Sequence, residues 1–235
     1  MNKEIIRKDK SSLSLWNPDY VLEKNTLDFI RRNILKSYDV ILDYGCGNSP
    51  YENLFTYNKY IKADISQNSK QTVELLLNNN SFEKLPLENN SIDLIICMDV
   101  LEHSGNFDKI LKDFYRVLKP NGQLFISLPF LYREHEMPND LYRYTSSFIE
   151  KESVDLGFKI CEIKKMGGVY YVIYSLWMES IIKSGERIEA NLLNKITRKI
   201  FNKMFLPIFN KFVFNKNVNL NDSVYHHILV KLIKD

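Results

Sequence analysis

Between residues 39 and 130, short β-branched apolar runs alternate with stretches of helical spacing, the pattern of a parallel sheet flanked by helices. Val40-Ile41-Leu42-Asp43, Tyr60-Ile61-Lys62-Ala63-Asp64 and Ile92-Asp93-Leu94-Ile95-Ile96-Cys97 predict three buried strands. A fourth, Gln123-Leu124-Phe125-Ile126-Ser127-Leu128, follows a turn predicted at Lys119-Pro120-Asn121-Gly122. Residues 107–118 place Ile110, Leu111, Phe114, Val117 and Leu118 on one helical face. Beyond Pro129 the period disappears, and residues 130–150, polar and aromatic, predict a loop over the carboxyl edge of the sheet. Phe158–Ile163 and Tyr225–Ile233 predict two later strands.

A long amphipathic helix is predicted between those two. From Ile188, apolar residues recur at 192, 196, 200, 204, 208 and 212, joined by Leu193, Phe201, Phe205 and Phe209, with a bend or break near Pro207. Residues 183–216 hold eight Lys/Arg against Glu186 and Glu189, so this segment carries +6 and the remainder of the chain −3. The expected boundaries are an N-terminal helical cap over 1–37, a core over 38–166 and 222–235, and a basic helical insert over 167–221.

Composition narrows the class. A chain of 235 residues accommodates one α/β domain with a small elaboration, and 32 basic against 29 acidic residues are too balanced for a nucleic-acid binder. Cys46, Cys97 and Cys161 form no CxxC pair, so reduced thiols are expected rather than zinc or disulfides. The charged N-terminus lacks a signal-peptide apolar core, and Val169–Trp177 is too short to span a bilayer. A soluble, cytoplasmic protein is expected, with contact at the inner membrane surface as one role for the insert.

The chemistry concentrates at the end of the first strand. Asp43-Tyr44-Gly45-Cys46-Gly47 is a tight turn where glycines let a ligand approach the backbone. Asp64 ends the next strand 21 residues later, where a carboxylate accepts hydrogen bonds from ribose hydroxyls. A dinucleotide motif needs a third glycine, and Pro50 stands in that place. S-adenosylmethionine, which has no phosphates, fits better than NAD.

Val40–Gly47, Asp64, Leu85-Pro86-Leu87-Glu88-Asn89-Asn90-Ser91-Ile92-Asp93, Leu101-Glu102-His103 and Leu118–Gly122 together resemble the ubiquinone/menaquinone-type ("type 11") class I S-adenosylmethionine-dependent methyltransferases, over residues 38–130. The resemblance implies a Rossmann-like, seven-stranded, mostly parallel sheet with one antiparallel strand and helices on both faces. It implies that Asp43 and the Gly45 and Gly47 backbone hold the methionine part of the cofactor and Asp64 the ribose, with Tyr44, Cys46 and Ile65 also in the cofactor site. Ser81 and Phe82 would flank the adenine, although relatives often carry an acid where Ser81 stands. Met98 and Asp99 would line the methyl-transfer site. The plainer readings are that Asp43 caps its turn, Asp99 caps a helix, and Glu102-His103 is a solvated or capping pair, with no metal site expected.

The stretch Pro129-Phe130 … His135 … Pro138-Asn139-Asp140 … Arg143-Tyr144-Thr145 is similar to one in methyltransferases encoded among surface-polysaccharide genes. It implies O-methylation of a sugar or glycan intermediate, lipid-linked in one version. In that reading His135 is the base for an acceptor hydroxyl, Asp140 orients the imidazole or contacts the acceptor, and Arg143 holds an anionic group. The alternative is that these three brace the loop. N- or C-methylation of another small metabolite, and a non-catalytic methyltransferase-like module, are the competing functions. For the insert three roles stand open: a lid, a homodimer interface, or a contact with anionic lipid.

Overall fold

The computed structural model describes residues 19–78, 82–176, 200, 203–204, 207–208, 211–212 and 223–235. Seven strands form one sheet: β1 (Tyr38–Tyr44), β2 (Tyr57–Asp64), β3 (Leu75–Leu76), β4 (Ile92–Met98), β5 (Leu118–Pro129), β6 (Phe158–Met166) and β7 (His227–Lys234). Their order is β3-β2-β1-β4-β5-β7-β6. β7 runs antiparallel to both β5 and β6, and the other pairings are parallel. This is the Rossmann-like sheet with one antiparallel strand that the resemblance implied.

Alternation along the central strands sorts side chains between two cores. Leu42, Ile95, Cys97, Leu124, Ile126 and Val230 join Ile110, Leu111 and Phe114 of α2 (Phe107–Val117) in one. Ile41, Leu94, Ile96, Phe125 and Leu229 join Leu27, Phe29 and Ile30 of α1 (Tyr20–Asn33) in the other. Strands packed on both faces read as near-continuous apolar runs, which is why the predicted strands coincide with the observed ones to within a few residues.

Three differences have local causes. The predicted turn at Lys119–Gly122 lies inside β5 as a bulge: Ile92 pairs with Leu118, but Leu94 pairs with Gln123, and Asn121 takes φ +64°. The end of the predicted loop is helical, as α3 (Ser146–Asp155), because Thr145 caps it by accepting the Phe148 N–H at 3.2 Å. β3, at two residues, is too short to leave a periodic signal. Residues 169–176 are helical, and most of the predicted insert helix lies outside the described residues.

The strand order reverses between β1 and β4, the switch point of the sheet. The carboxyl ends of β1, β2, β4 and β5 open there, and β7 begins at the same edge, since His227 pairs with Pro129.

Candidate functional site

The first turn is built on the neighbouring strand. The Gly45 and Cys46 N–H groups both donate to the Ala63 carbonyl, at 2.8 and 3.1 Å, reversing the chain after β1. Gly45 has φ +72°, and a Cβ there would come within 2.3 Å of Val100 Cγ2, so both backbone and space exclude a side chain. Asp64 locks the turn: its Oδ2 accepts the Gly47 N–H and its Oδ1 the Ile65 N–H, both at 2.7 Å. Each oxygen retains acceptor capacity for a ligand hydroxyl.

A cavity of about 570 Å³ opens at this edge, within the roughly 300–1,000 Å³ usual for small-molecule sites. Tyr44, Gly45, Gly47, Asp64, Ile65 and Phe82 line it, with Asp99 from the end of β4. The loops after β4 and β5 add His103, Glu136 and Asn139. Asp99 holds φ +55°, a conformation that costs a non-glycine residue about 1–3 kcal/mol. Its carboxylate accepts the Ser127 hydroxyl at 2.6 Å, and it caps no helix.

Other expected cofactor residues stand behind the cavity wall. Asp43 is buried and accepts the Tyr60 hydroxyl at 2.9 Å; burial pushes its carboxyl up to about 6. Cys46 is buried as well, which raises its thiol to about 12 and leaves it unreactive at neutral pH. Met98 packs in the α1-side core. Ser81 lies outside the described residues.

On the loop after β5, Asp140 and Arg143 are spent on each other. The Asp140 carboxylate accepts two Arg143 N–H bonds, at 2.5 and 2.6 Å, and the His135 backbone N–H at 2.9 Å. Arg143 also donates to the carbonyls of Tyr142 and Arg133. Burial alone would raise the Asp140 carboxyl, but the guanidinium and the His135 N–H hold it well below the usual range. This pair braces the loop, and no anion site at Arg143 is free in this arrangement.

His135 is the loop's imidazole, yet it is not part of the cavity wall; His103 is. The His135 Nδ1 lies 3.0 Å from Asp140 Oδ2, at ion-pair distance but without hydrogen-bond alignment. Burial opposes charge on His135, and Glu102, Asp140 and Glu136 outweigh it, raising its pKa. The solvated reading of Glu102-His103 is corrected. Glu102 is completely buried, and neither carboxylate oxygen has a hydrogen-bond partner. A short 3₁₀ turn, Leu101–His103, folds it inward, and the Glu102 carbonyl accepts the N–H groups of Leu141 and Tyr142.

The chain has four histidines, and all converge here. The His103 and His135 rings are 4.8 Å apart, and Tyr132 stands 5.2, 5.0 and 5.3 Å from the rings of His135, His226 and His227. The adjacent pair His226-His227 at the start of the last predicted strand was the available signal that this edge continues into β7.

Residues 42–126 match the family model described as "Methyltransferase domain". The chain is 41% identical over 64 residues to the ubiquinone/menaquinone biosynthesis C-methyltransferase UbiE of Pseudoalteromonas translucida, covering 27% of this chain and 25% of that protein. It is 25% identical over 129 residues to the ubiquinone biosynthesis O-methyltransferase of Coxiella burnetii, covering 48% and 55%. Among solved structures it resembles phosphoethanolamine N-methyltransferase 2 of Haemonchus contortus in complex with S-adenosyl-L-methionine. That TM-score is 0.53 at 18% identity, over 97% of this chain and 58% of the other. The chain thus spans less than two thirds of each of these proteins. Strand order and glycine turn agree with the matched segment: residues 42–126, just over a third of the chain, are similar to a methyltransferase domain, on a fold shared with solved methyltransferases.

Proposed function

We propose that the protein transfers a methyl group from S-adenosylmethionine to a hydroxyl oxygen of a sugar or glycan intermediate of surface-polysaccharide synthesis. The observation that carries this reading is one cavity whose lining runs from the Gly45–Gly47 turn and Asp64 to His103, Glu136 and Asn139. Its first part suits a nucleoside and a methionine tail, with no third glycine to cradle a pyrophosphate. Its second part offers an imidazole, a carboxylate and an amide, groups that recognise hydroxyls rather than a flat apolar ring.

When bound, S-adenosylmethionine supplies an electrophilic methyl group. The chain's contribution is positioning: Asp64 would hold the ribose, Phe82 flank the adenine, and the Gly45–Gly47 backbone admit the methionine portion. His103, Glu136 and Asn139 on the wall are placed to hold and orient a hydroxyl acceptor.

Calorimetric titration should show S-adenosylmethionine binding and no NAD binding, with Asp64→Ala weakening the former at least tenfold. Incubation with a panel of nucleotide sugars and glycans should give a one-methyl mass gain. Failure to bind S-adenosylmethionine defeats the whole reading; methylation confined to nitrogen or carbon acceptors defeats its oxygen-acceptor part.

The same reading places the protein at an anionic membrane surface, beside a lipid-linked acceptor. Its support is the apolar stripe of the insert: Ile200, Met204, Ile208 and Phe212 are all exposed, at four-residue intervals, in a segment of charge +6. No described helix is long and apolar enough to cross a membrane.

A further inference from the structure

Beside the cavity, Glu102, His103 and His135 bring one ligand atom each to within 4.8 Å of one another, the group of this kind found among the described residues. Glu102 is fully buried, and both its oxygens lack any hydrogen-bond donor. An ionised carboxylate left in that state costs several kcal/mol unless a cation meets it. Two ring nitrogens, Nε2 of His103 and Nε2 of His135, each lie 3.7 Å from Glu102 Oε1. That is too far for a hydrogen bond. It is close to about 3.4 Å, the separation of two ligand atoms on one tetrahedral ion with bonds of about 2.1 Å.

The surroundings orient both rings for the same task. His103 Nδ1 lies 3.1 Å from the Asn139 carbonyl, and His135 Nδ1 lies 3.0 Å from Asp140 Oδ2. Each ring therefore turns Nδ1 to an oxygen and Nε2 to Glu102. The His103 ring is held as metal-ligating imidazoles are, by an oxygen on the far nitrogen, while His135 Nδ1 faces Asp140 at ion-pair distance without hydrogen-bond alignment. The buttress is firm, because Asp140 is itself clamped by Arg143 and the Glu102 carbonyl is tied to Leu141 and Tyr142.

The geometry points to a binding site for one divalent transition-metal ion, ligated by Glu102, His103 and His135 and open towards the cofactor cavity. His103 sits on the cavity wall, and Glu136 Oε2, 3.7 Å from His103 Nε2, stands where a further oxygen ligand would enter. Two imidazoles and one carboxylate favour zinc, cobalt, iron or manganese over magnesium or calcium. Resting on the methyl-transfer reading, the ion's role follows: its open position takes the acceptor's oxygen and orients it beside the cofactor. The site also explains why Asp140 and Arg143 are consumed in bracing, since a ligand loop must be rigid.

The test uses the untagged full chain carrying Cys161→Ser, which removes the one exposed cysteine thiol. After chelator treatment, Zn²⁺ titration by calorimetry should give one ion per chain, and Co²⁺ should develop visible ligand-field absorption. Glu102→Gln and, as an independent variant, His135→Gln should each weaken Zn²⁺ binding more than tenfold. Neither residue lines the cavity, so S-adenosylmethionine binding in both variants certifies that the domain is folded. Absence of stoichiometric Zn²⁺ and Co²⁺ binding, or unchanged affinity in both folded variants, overturns the site. Metal binding without S-adenosylmethionine binding would instead overturn the methyl-transfer reading and leave the metal site standing.

Discussion

Burial holds the Asp43 carboxyl near 6, against 3.8 for the free group, with the Tyr60 hydroxyl only partly offsetting the loss of solvent. Because the folded pKa lies above the unfolded one, the folded chain keeps this proton longer as pH rises. The associated stability is fully present below about pH 4 and is lost as pH climbs towards about 6, a swing of about 3 kcal/mol for two pKa units. Asp43→Asn keeps an acceptor for Tyr60 and has no charge to bury. Urea unfolding at pH 4 and pH 7 should therefore show this variant gaining on the parent as pH rises. An equal stability difference at both pH values would contradict that assignment. The sequence marked Asp43 correctly as part of the turn. What it hid was depth: a motif identifies a neighbourhood, and only packing decides which member reaches the ligand and which supports the floor. The same holds for Cys46 and Met98.

At the scale of elements, α2 does more than cover the sheet. Asp113 on its inner side accepts the Leu85 N–H at 2.8 Å and Arg116 Nε at 2.6 Å. Arg116 in turn donates to the carbonyls of Leu85 and Leu87 and to the Asn89 side chain. This clamp fixes the segment that brings Phe82, Leu85 and Pro86 to the cavity. Arg116→Ala removes four donated bonds at once and leaves the buried Asp113 carboxylate with the Leu85 N–H alone. A loss of about 2–4 kcal/mol is expected in chemical denaturation, with weaker S-adenosylmethionine binding measured by titration. Unchanged cofactor affinity in the folded variant would show that the adenine wall is held by something else. Elements with a full hydrophobic signature were legible beforehand, as β1, β4 and α2 show. α3 was not, because Thr145 starts a helix through a single capping bond inside a stretch whose composition resembles a loop. The two-residue β3 exists only because Ala63 and Asp64 offer it a partner.

For the whole molecule, a mostly parallel sheet with flanking helices was readable because alternation of buried strands and helices admits few arrangements. The loops after β4 and β5 were read less well. Glu102 and His103 are adjacent in sequence, yet their meaning depends on His135, more than thirty residues away, and on β7, which returns after the insert. Pattern along a chain carries no information about such encounters. Charge distribution is the other molecular-scale property, with the insert at +6 and the rest at −3. Co-sedimentation with vesicles should accordingly show binding that requires anionic lipid and fades with added salt. Replacing Ile208 and Phe212 together by Asn should weaken it at low salt too. No dependence on anionic lipid would remove the membrane from the protein's proposed setting.

The convergence of all four imidazoles on one edge has a practical consequence. In most proteins of this size a spectrum of selectively labelled histidine mixes signals from unrelated places. Here every such resonance originates within one neighbourhood, so nitrogen-15 labelling of histidine alone yields a nuclear magnetic resonance spectrum without background. Tautomer, ion occupancy and arrival of an acceptor would each be readable from the ring nitrogens of four residues, with no substitution made.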